Sequence, residues 1–318
     1  MSARLHLGLA AALLAAAALS LVAGKLWLPL AAFNTADPRF LIILELRLPR
    51  LALAALIGAG LGLSGAAMQG YLRNPLADPG LFGVSAGAAL GAVTALFFGL
   101  AAALPGFALA GAAAAMALLV LLVGRSGSLI LFTLGGVVLS SIAAALTALV
   151  ISLAPTPFAT AEIVTWLMGA LTDRSWADVR LAAPLIAAGS LILWRQAAAL
   201  DALTLGEAAA RSMGVEPLRL QAAIVLGVGL CVGAGVAVAG VIGFVGLIVP
   251  HLVRPFAGHR PSAVLLPSAL AGAVLLVTAD ALVRLAPGAA ELRLGIAMSL
   301  LGGPFFIALL LRFRKRLP

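Results

Sequence analysis

Residues 51–70 read LALAALIGAGLGLSGAAMQG, twenty consecutive positions without a charged side chain, and the first charge after them is Arg73. A hydrocarbon core roughly 30 Å thick is crossed by about 20 apolar residues in helical form. The run is continuous and lacks the in–out alternation of a membrane barrel strand, so a helix is the remaining way to satisfy its backbone in lipid. Further runs of this kind follow along the chain. Of its 318 residues 64% are hydrophobic and only 10% charged, where a soluble domain carries about a quarter charged residues. Apolar runs between charges and Gly/Pro breaks give ten expected spans: 7–30, 48–70, 80–100, 106–124, 129–153, 179–197, 220–239, 241–256, 262–285 and 294–312. The eighth is short and glycine-rich, and 155–179 has room for an additional helix lying in the membrane interface. Ten spans use about 210 residues, which leaves loops but no soluble domain. The expectation is an all-α integral membrane protein with about ten transmembrane helices, one transmembrane domain over 1–318.

The first run follows Arg4 and imitates a signal peptide, but no secreted domain follows it, and it reads as an uncleaved first span. Cys231 is the single cysteine, lies in an apolar run and reads as a small packing residue. With a cytoplasmic amino terminus, one side collects twelve basic residues, from Arg4 and Arg73 to Arg316, against Asp78, Asp201, Glu207 and Glu216. The other side receives eight basic and seven acidic residues. The positive-inside rule therefore places both termini in the cytoplasm. The net charge of +9 then lies largely beside anionic headgroups and calls for no nucleic acid. Glycine recurs at four-residue spacing in Gly58 and Gly62, in Gly83, Gly87 and Gly91, and in Gly229 and Gly233. Such spacing lets helix backbones approach closely.

Enzymatic chemistry finds little support. Gly24-Lys25 lacks the glycine-rich loop and the Ser/Thr of a P-loop, so ATP work would fall to another chain. His6, His251 and His259 are scattered without metal-ligand spacing, and no metal or other cofactor is expected on this chain.

Three polar groups stand out. Arg47-Leu48-Pro49-Arg50 lies at the expected outer end of the second span, and Arg284 at the outer end of the ninth. Either Glu45 and Asp280 neutralise these arginines locally, or exposed guanidiniums form a docking surface for an acidic partner. The second group is 201–218. Thr204 and Glu207 have capping-box spacing, Leu205, Ala208, Ala209 and Met213 form an apolar stripe, and Gly214 is placed to end a helix before Pro217. A short projecting helix of this kind suits a partner's groove better than lipid, because its acids outnumber its bases. The third is Asn74-Pro75-Leu76-Ala77-Asp78-Pro79-Gly80, whose composition is explained by a turn.

At these residues the sequence resembles the permease subunits of type II ABC importers, which carry iron–siderophore complexes, haem and vitamin B12. The resemblance runs from Arg47–Arg50 through Ser64–Gly70, Asn74–Gly80 and Gly83–Ala88. It resumes at Gly206–Gly214, Gly243–His251, Glu291–Gly295 and Gly302–Phe306, so it covers nearly the whole chain. It implies a homodimer with two ATP-binding subunits, which hold ATP and Mg, and a periplasmic or lipid-anchored substrate-binding protein, in the inner membrane. It also implies that Arg47, Arg50 and Arg284 meet acids of the binding protein, that Asn74 and Leu76 form a cytoplasmic gate, and that Thr204, Gly206, Glu207, Ala208, Ala209 and Gly214 couple to the ATPase. The fifth and tenth spans would line the pathway, offering Ser140, Ser141, Thr147, Met298 and Ser299. Arg125-Ser126-Gly127-Ser128 leaves the register of a fifth-span gate open. The function implied is ATP-driven import of a metal chelate by alternating access, with ferric siderophore or haem placed before cobalamin. The alternative is an ion-coupled secondary transporter, which would place an ionisable residue at mid-membrane. Asp280 and Glu162 instead fall near span ends.

Overall fold

The computed structural model describes residues 2–124, 129–287 and 291–314. Thirteen α-helices follow one another in these segments: α1 (Ser2–Val22), α2 (Leu48–Tyr71), α3 (Val84–Phe97), α4 (Leu104–Val123), α5 (Leu129–Ser152), α6 (Pro157–Leu167), α7 (Trp176–Arg195), α8 (Ala197–Leu203), α9 (Glu207–Ser212), α10 (Pro217–Ala239), α11 (Val245–Ala257), α12 (Pro261–Leu285) and α13 (Leu294–Arg314). Eight of the described helices are long and apolar enough to cross a membrane, and α3 and α11 are shorter apolar helices. Together they match the ten expected spans, with the third and eighth trimmed. The additional helix allowed for in 155–179 is α6, begun by Thr156, whose side chain accepts from the Ala159 amide at 3.2 Å, and by Pro157 in the first turn.

Helices α2 and α10 form the centre: 72% and 78% of their apolar windows are buried, against 22% for α5. Lipid supplies no hydrophobic drive between helices, so the centre depends on close approach. Helix α2 packs most extensively on α12. There the backbones touch so closely that a Cβ on Gly58 would collide with the carbonyl of Gly272, and one on Gly62 with that of Ser268. Gly87 and Gly91 seat α3 on Gly111 and Phe107 of α4, and Gly229 receives the Met116 side chain. All three glycine spacings are thus helix-packing sites. Cys231 is a buried packing residue with Ser190 Oγ at 3.7 Å.

Two boundaries differ from expectation in an instructive way. The first span, expected over 7–30, ends as a helix at Val22, and 23–29 is irregular. The second begins earlier, because a π-helical turn over Ile42–Arg47 runs directly into α2. Pro49 lacks an amide and crowds the preceding turn of an α-helix, and the widened turn lies just ahead of it. The Leu48 amide bonds to Ile43 O, and the Leu44 carbonyl accepts from the Trp176 indole at 2.9 Å.

The bundle has two ends. One carries the C-termini of α1 and α12 with the N-terminus of α2, called here the arginine end. The other carries α8 and α9, called here the elbow end.

Candidate functional site

At the arginine end, Arg47, Arg50 and Arg284 come together as the spacing suggested, but they are buried, at 8%, 9% and 5% exposure, and do not form an exposed surface. Asp280, on α12, is the hub. Arg50 Nε donates to both of its carboxylate oxygens at 3.0 Å, and Arg284 Nε lies 3.4 Å from Asp280 Oδ2. Arg50 Nη2 also lies 2.9 Å from Glu291 Oε2, which accepts from Thr172 Oγ1 at 3.1 Å. Burial pushes the Glu291 carboxyl upward, but Arg50 and Thr172 outweigh it and hold the group below the usual carboxylate range.

The remaining donors explain where α1 stops. Arg284 donates to Ser20 O at 2.9 Å, to Ala23 O at 3.1 Å and to Ser20 Oγ at 2.7 Å, while Arg47 donates to the carbonyls of Leu21 and Leu26. The C-terminal carbonyls of a helix lack internal partners and carry its negative dipole end. Two guanidiniums from elsewhere in the chain supply both needs. The local-neutralisation reading is half right: Asp280 pairs as expected, whereas the described residues give Glu45 no ion-pair partner and Glu291 takes its place.

At the elbow end the short helix expected between Thr204 and Gly214 is present as α9, but it starts later, at Glu207, and a separate helix α8 precedes it. Thr204 does not cap it; its hydroxyl donates to Asp201 O at 2.7 Å, ending α8, and Gly206 at φ 99° turns the chain into α9 without a side-chain cap. The capping box is therefore absent, since Glu207 starts α9 instead of lying three residues inside it. Gly214 ends α9 as expected, at φ 86°, with Val215 N bonded to Ala210 O at 3.0 Å. Ala210 is the buried residue of α9, while Leu205, Ala208 and Met213 stay exposed and Ala209 is half-buried. Asp201 ties the elbow to α12, accepting from the Ser262 amide at 2.9 Å, from Ser262 Oγ at 2.6 Å and from Arg260 at 2.9 Å. Partial burial raises the Asp201 carboxyl, but these donors prevail and its pKa is lowered.

Beside the elbow, Asn74 Oδ1 accepts from the Leu76 amide at 2.9 Å and Asp78 Oδ1 from the Gly80 amide at 2.7 Å, so 74–80 is two side-chain-closed turns. Arg73, at φ 51°, reaches to 3.8 Å from Glu207, which joins this turn to α9. Above the turn lies a cavity of about 250 Å³ lined by Asp78, Ser85, Ser140 and Phe244 among others. Phe244 holds a left-handed backbone, φ 69°, where α10 breaks before α11. That conformation is rare and costly for a bulky residue.

Of the pathway residues, Ser140 lines this cavity. Ser141, Thr147 and Ser299 bond back to the carbonyls of Val137, Ala143 and Gly295, so their hydroxyls are already used within their helices. Met298 is fully buried in the protomer's own core. The 125–128 gate segment lies outside the described residues. Among the described residues no three His, Cys, Asp or Glu side chains gather to hold a metal ion. Glu291, Ser20 and the pair Asp201–Ser262 were not singled out by the sequence as members of these clusters. Their partners lie far away along the chain, and no local spacing reports them.

Comparison with known proteins covers the chain almost from end to end. A family model described as the FecCD transport family matches residues 9–312. The uncharacterized ABC transporter permease protein YvrB of Bacillus subtilis (strain 168) is 41% identical over 286 residues, 87% of this chain and 80% of its own length. The vitamin B12 import system permease protein BtuC of Vibrio cholerae is 39% identical over 302 residues, 92% of this chain and 89% of its own. The protein of the same name from Klebsiella pneumoniae is 39% identical over 317 residues, covering 97% and 94%. A solved chain described as a metal-chelate type ABC transporter in an inward-facing conformation superposes with TM-score 0.89 at 33% identity, covering 97% of this chain and 99% of that one.

Proposed function

Because this chain belongs to the FecCD transport family of ABC importer permeases, we propose that it imports a metal chelate by alternating access, as one half of a homodimer bound to two ATP-binding subunits and one substrate-binding protein. Membership already makes it a multi-pass membrane permease, and it displaces the secondary-transporter alternative. Asp280 agrees, since it is held in a buried ion cluster and is not free to couple an ion. The observation that carries the proposal is end-to-end correspondence with a metal-chelate type transporter, over 97% of the chain. Several relatives of near-equal length are named as vitamin B12 permeases. On that support we place a corrinoid ahead of the ferric siderophore and haem that the sequence alone put first.

The elbow end is the cytoplasmic, ATPase-facing end in this proposal, and both termini lie on that side of the inner membrane. Exposed Leu205 and Met213, at 67% and 62%, offer α9 and its flanks an apolar surface for a groove. Asn74 and Leu76 act as the gate, in the turn beside the elbow. At the arginine end three guanidiniums face two carboxylates, Asp280 and Glu291. The surplus positive charge is the docking element for an acidic binding-protein lobe. The cavity beside Ser140 forms part of the pathway, where few polar contacts allow a bulky ligand to pass. The reading is tested by purifying the complex from native membranes and identifying the ligand and binding protein that accompany it. A corrinoid or iron chelate supports the proposal; a small inorganic ion or amino acid overturns it.

A further inference from the structure

A second cavity, of about 220 Å³, lies at the elbow end between the end of α2, the α8–α9 elbow and the turn from α11 into α12. Its lining includes Gln69, Arg73, Thr204, Arg254, His259 and Pro261, and no carboxylate. Its central cation is Arg254. Arg254 Nη2 donates to Gln69 Oε1 at 2.7 Å, and Gln69, only 2% exposed, is oriented by its own amide donating to the carbonyls of Gly246 and Leu247 at 3.4 Å. The guanidinium is thus held in place by a neutral group. Its Nε is buried without a hydrogen-bond partner, and among the described residues no carboxylate pairs with Arg254.

A guanidinium stays charged at any physiological pH, and a buried donor left unsatisfied is costly. Among the described residues, Arg73 brings a second guanidinium engaged only by Glu207 at 3.8 Å, and His259 a third potential donor without a partner. Donors converging from three helix ends on an acid-free space are what a tetrahedral anion requires, since its oxygens accept several hydrogen bonds at once.

We propose that this cavity binds a phosphate group, carried by a phospholipid headgroup or by a free phosphate ion. The bound phosphate neutralises Arg254, satisfies its Nε and links α2 and the α11–α12 turn to the elbow. The site is built from this chain's own residues, whichever chelate is carried.

The test uses the full-length protein, delipidated in a neutral detergent, as parent and as Arg254→Gln, Arg73→Gln and His259→Gln. Retention of phosphatidylglycerol is read by native mass spectrometry, and inorganic phosphate is added separately with the thermal midpoint as readout. Each lost arginine should lower phosphatidylglycerol retention about fivefold if the source is lipid. If the source is free phosphate, phosphate should raise the midpoint of the parent but not of the variants, with lipid retention unchanged. Arg73 and His259 stand at the exposed rim, so their variants decide the matter if Arg254→Gln fails to fold. Equal lipid retention and equal response to phosphate in parent and folded variants would overturn the site.

Discussion

Arg50 and Asp280 stand 230 positions apart in the chain, and Arg50 Nε lies 3.0 Å from both oxygens of the Asp280 carboxylate. This contact fastens the start of α2 to the end of α12, and through Glu291 and Arg284 it also fixes the entry to α13 and the end of α1. Removing one member of a buried pair leaves the other uncompensated, at a cost of about 3–5 kcal/mol. Asp280→Asn should lower the unfolding midpoint of the purified protein sharply, and Glu291→Gln, on a residue a quarter exposed, should lower it less. Reversing Arg47, Arg50 and Arg284 to glutamate should disrupt folding itself. Docking is therefore better read from the fall in binding-protein affinity with salt. A wild-type midpoint for Asp280→Asn would contradict the cluster's structural role.

The α2–α12 crossing depends on absent side chains. Gly58→Val places new atoms against the Gly272 carbonyl, whereas Gly106 has open space around it. Overpacking a tight contact costs about 1–3 kcal/mol. Gly58→Val should reduce the yield of monodisperse protein and its thermal midpoint, while Gly106→Ala leaves both near the parent. Equal behaviour of the two variants would contradict the crossing.

Asp201 gives the elbow a pH dependence. Its folded pKa lies below the ordinary carboxylate value because Ser262 and Arg260 stabilise the anion. The stabilisation is therefore complete above the unfolded value of about 4 and is lost as pH falls through the depressed folded value. Proteolytic nicking between α8 and α9 should rise as pH falls below about 4. In Asp201→Asn the segment should already be susceptible at neutral pH and show less change on acidification. A parent whose susceptibility stays flat over that range would contradict the tie.

The elbow's two positions should respond differently. Ala208 is exposed on α9, and a tryptophan there should obstruct a partner's groove, cutting uptake while leaving the spans folded. Glu207 caps nothing and lies 3.8 Å from Arg73 in an exposed pair, which contributes about 0–1 kcal/mol. Glu207→Ala should accordingly have a small effect. Assembly with the ATP-binding subunit and substrate uptake, measured separately for each variant, check this. Normal uptake by Ala208→Trp would return the elbow to a lipid-facing role.

Much of this architecture was legible in the chain. Uncharged runs such as 51–70 located the spans, and the four-residue glycine spacings marked the crossings at Gly272, Gly111 and Met116. Local chemistry was legible as well: Gly214 ends α9, and Asn74 and Asp78 close turns. What escaped was the environment of charges near helix ends. Arg47 and Arg284 read as outward-facing because nothing adjacent in sequence reveals that the carbonyls of α1 await them. Thr204 fits a capping box by spacing, yet Gly206 at φ 99° separates it from α9. An apolar residue on a span, such as the buried Met298, likewise gives no sign in the sequence of which neighbour it faces.

ATP-driven import through this permease can be followed in a reconstituted system. The direct measurement is uptake of radiolabelled cyanocobalamin, and in parallel of a ferric chelate, into proteoliposomes holding the permease with its ATP-binding subunits. The liganded binding protein is supplied on the arginine-end side and ATP on the other. One of these chelates should accumulate in a manner that requires ATP and the binding protein and is indifferent to proton or sodium gradients. Accumulation driven by an ion gradient without ATP would contradict it.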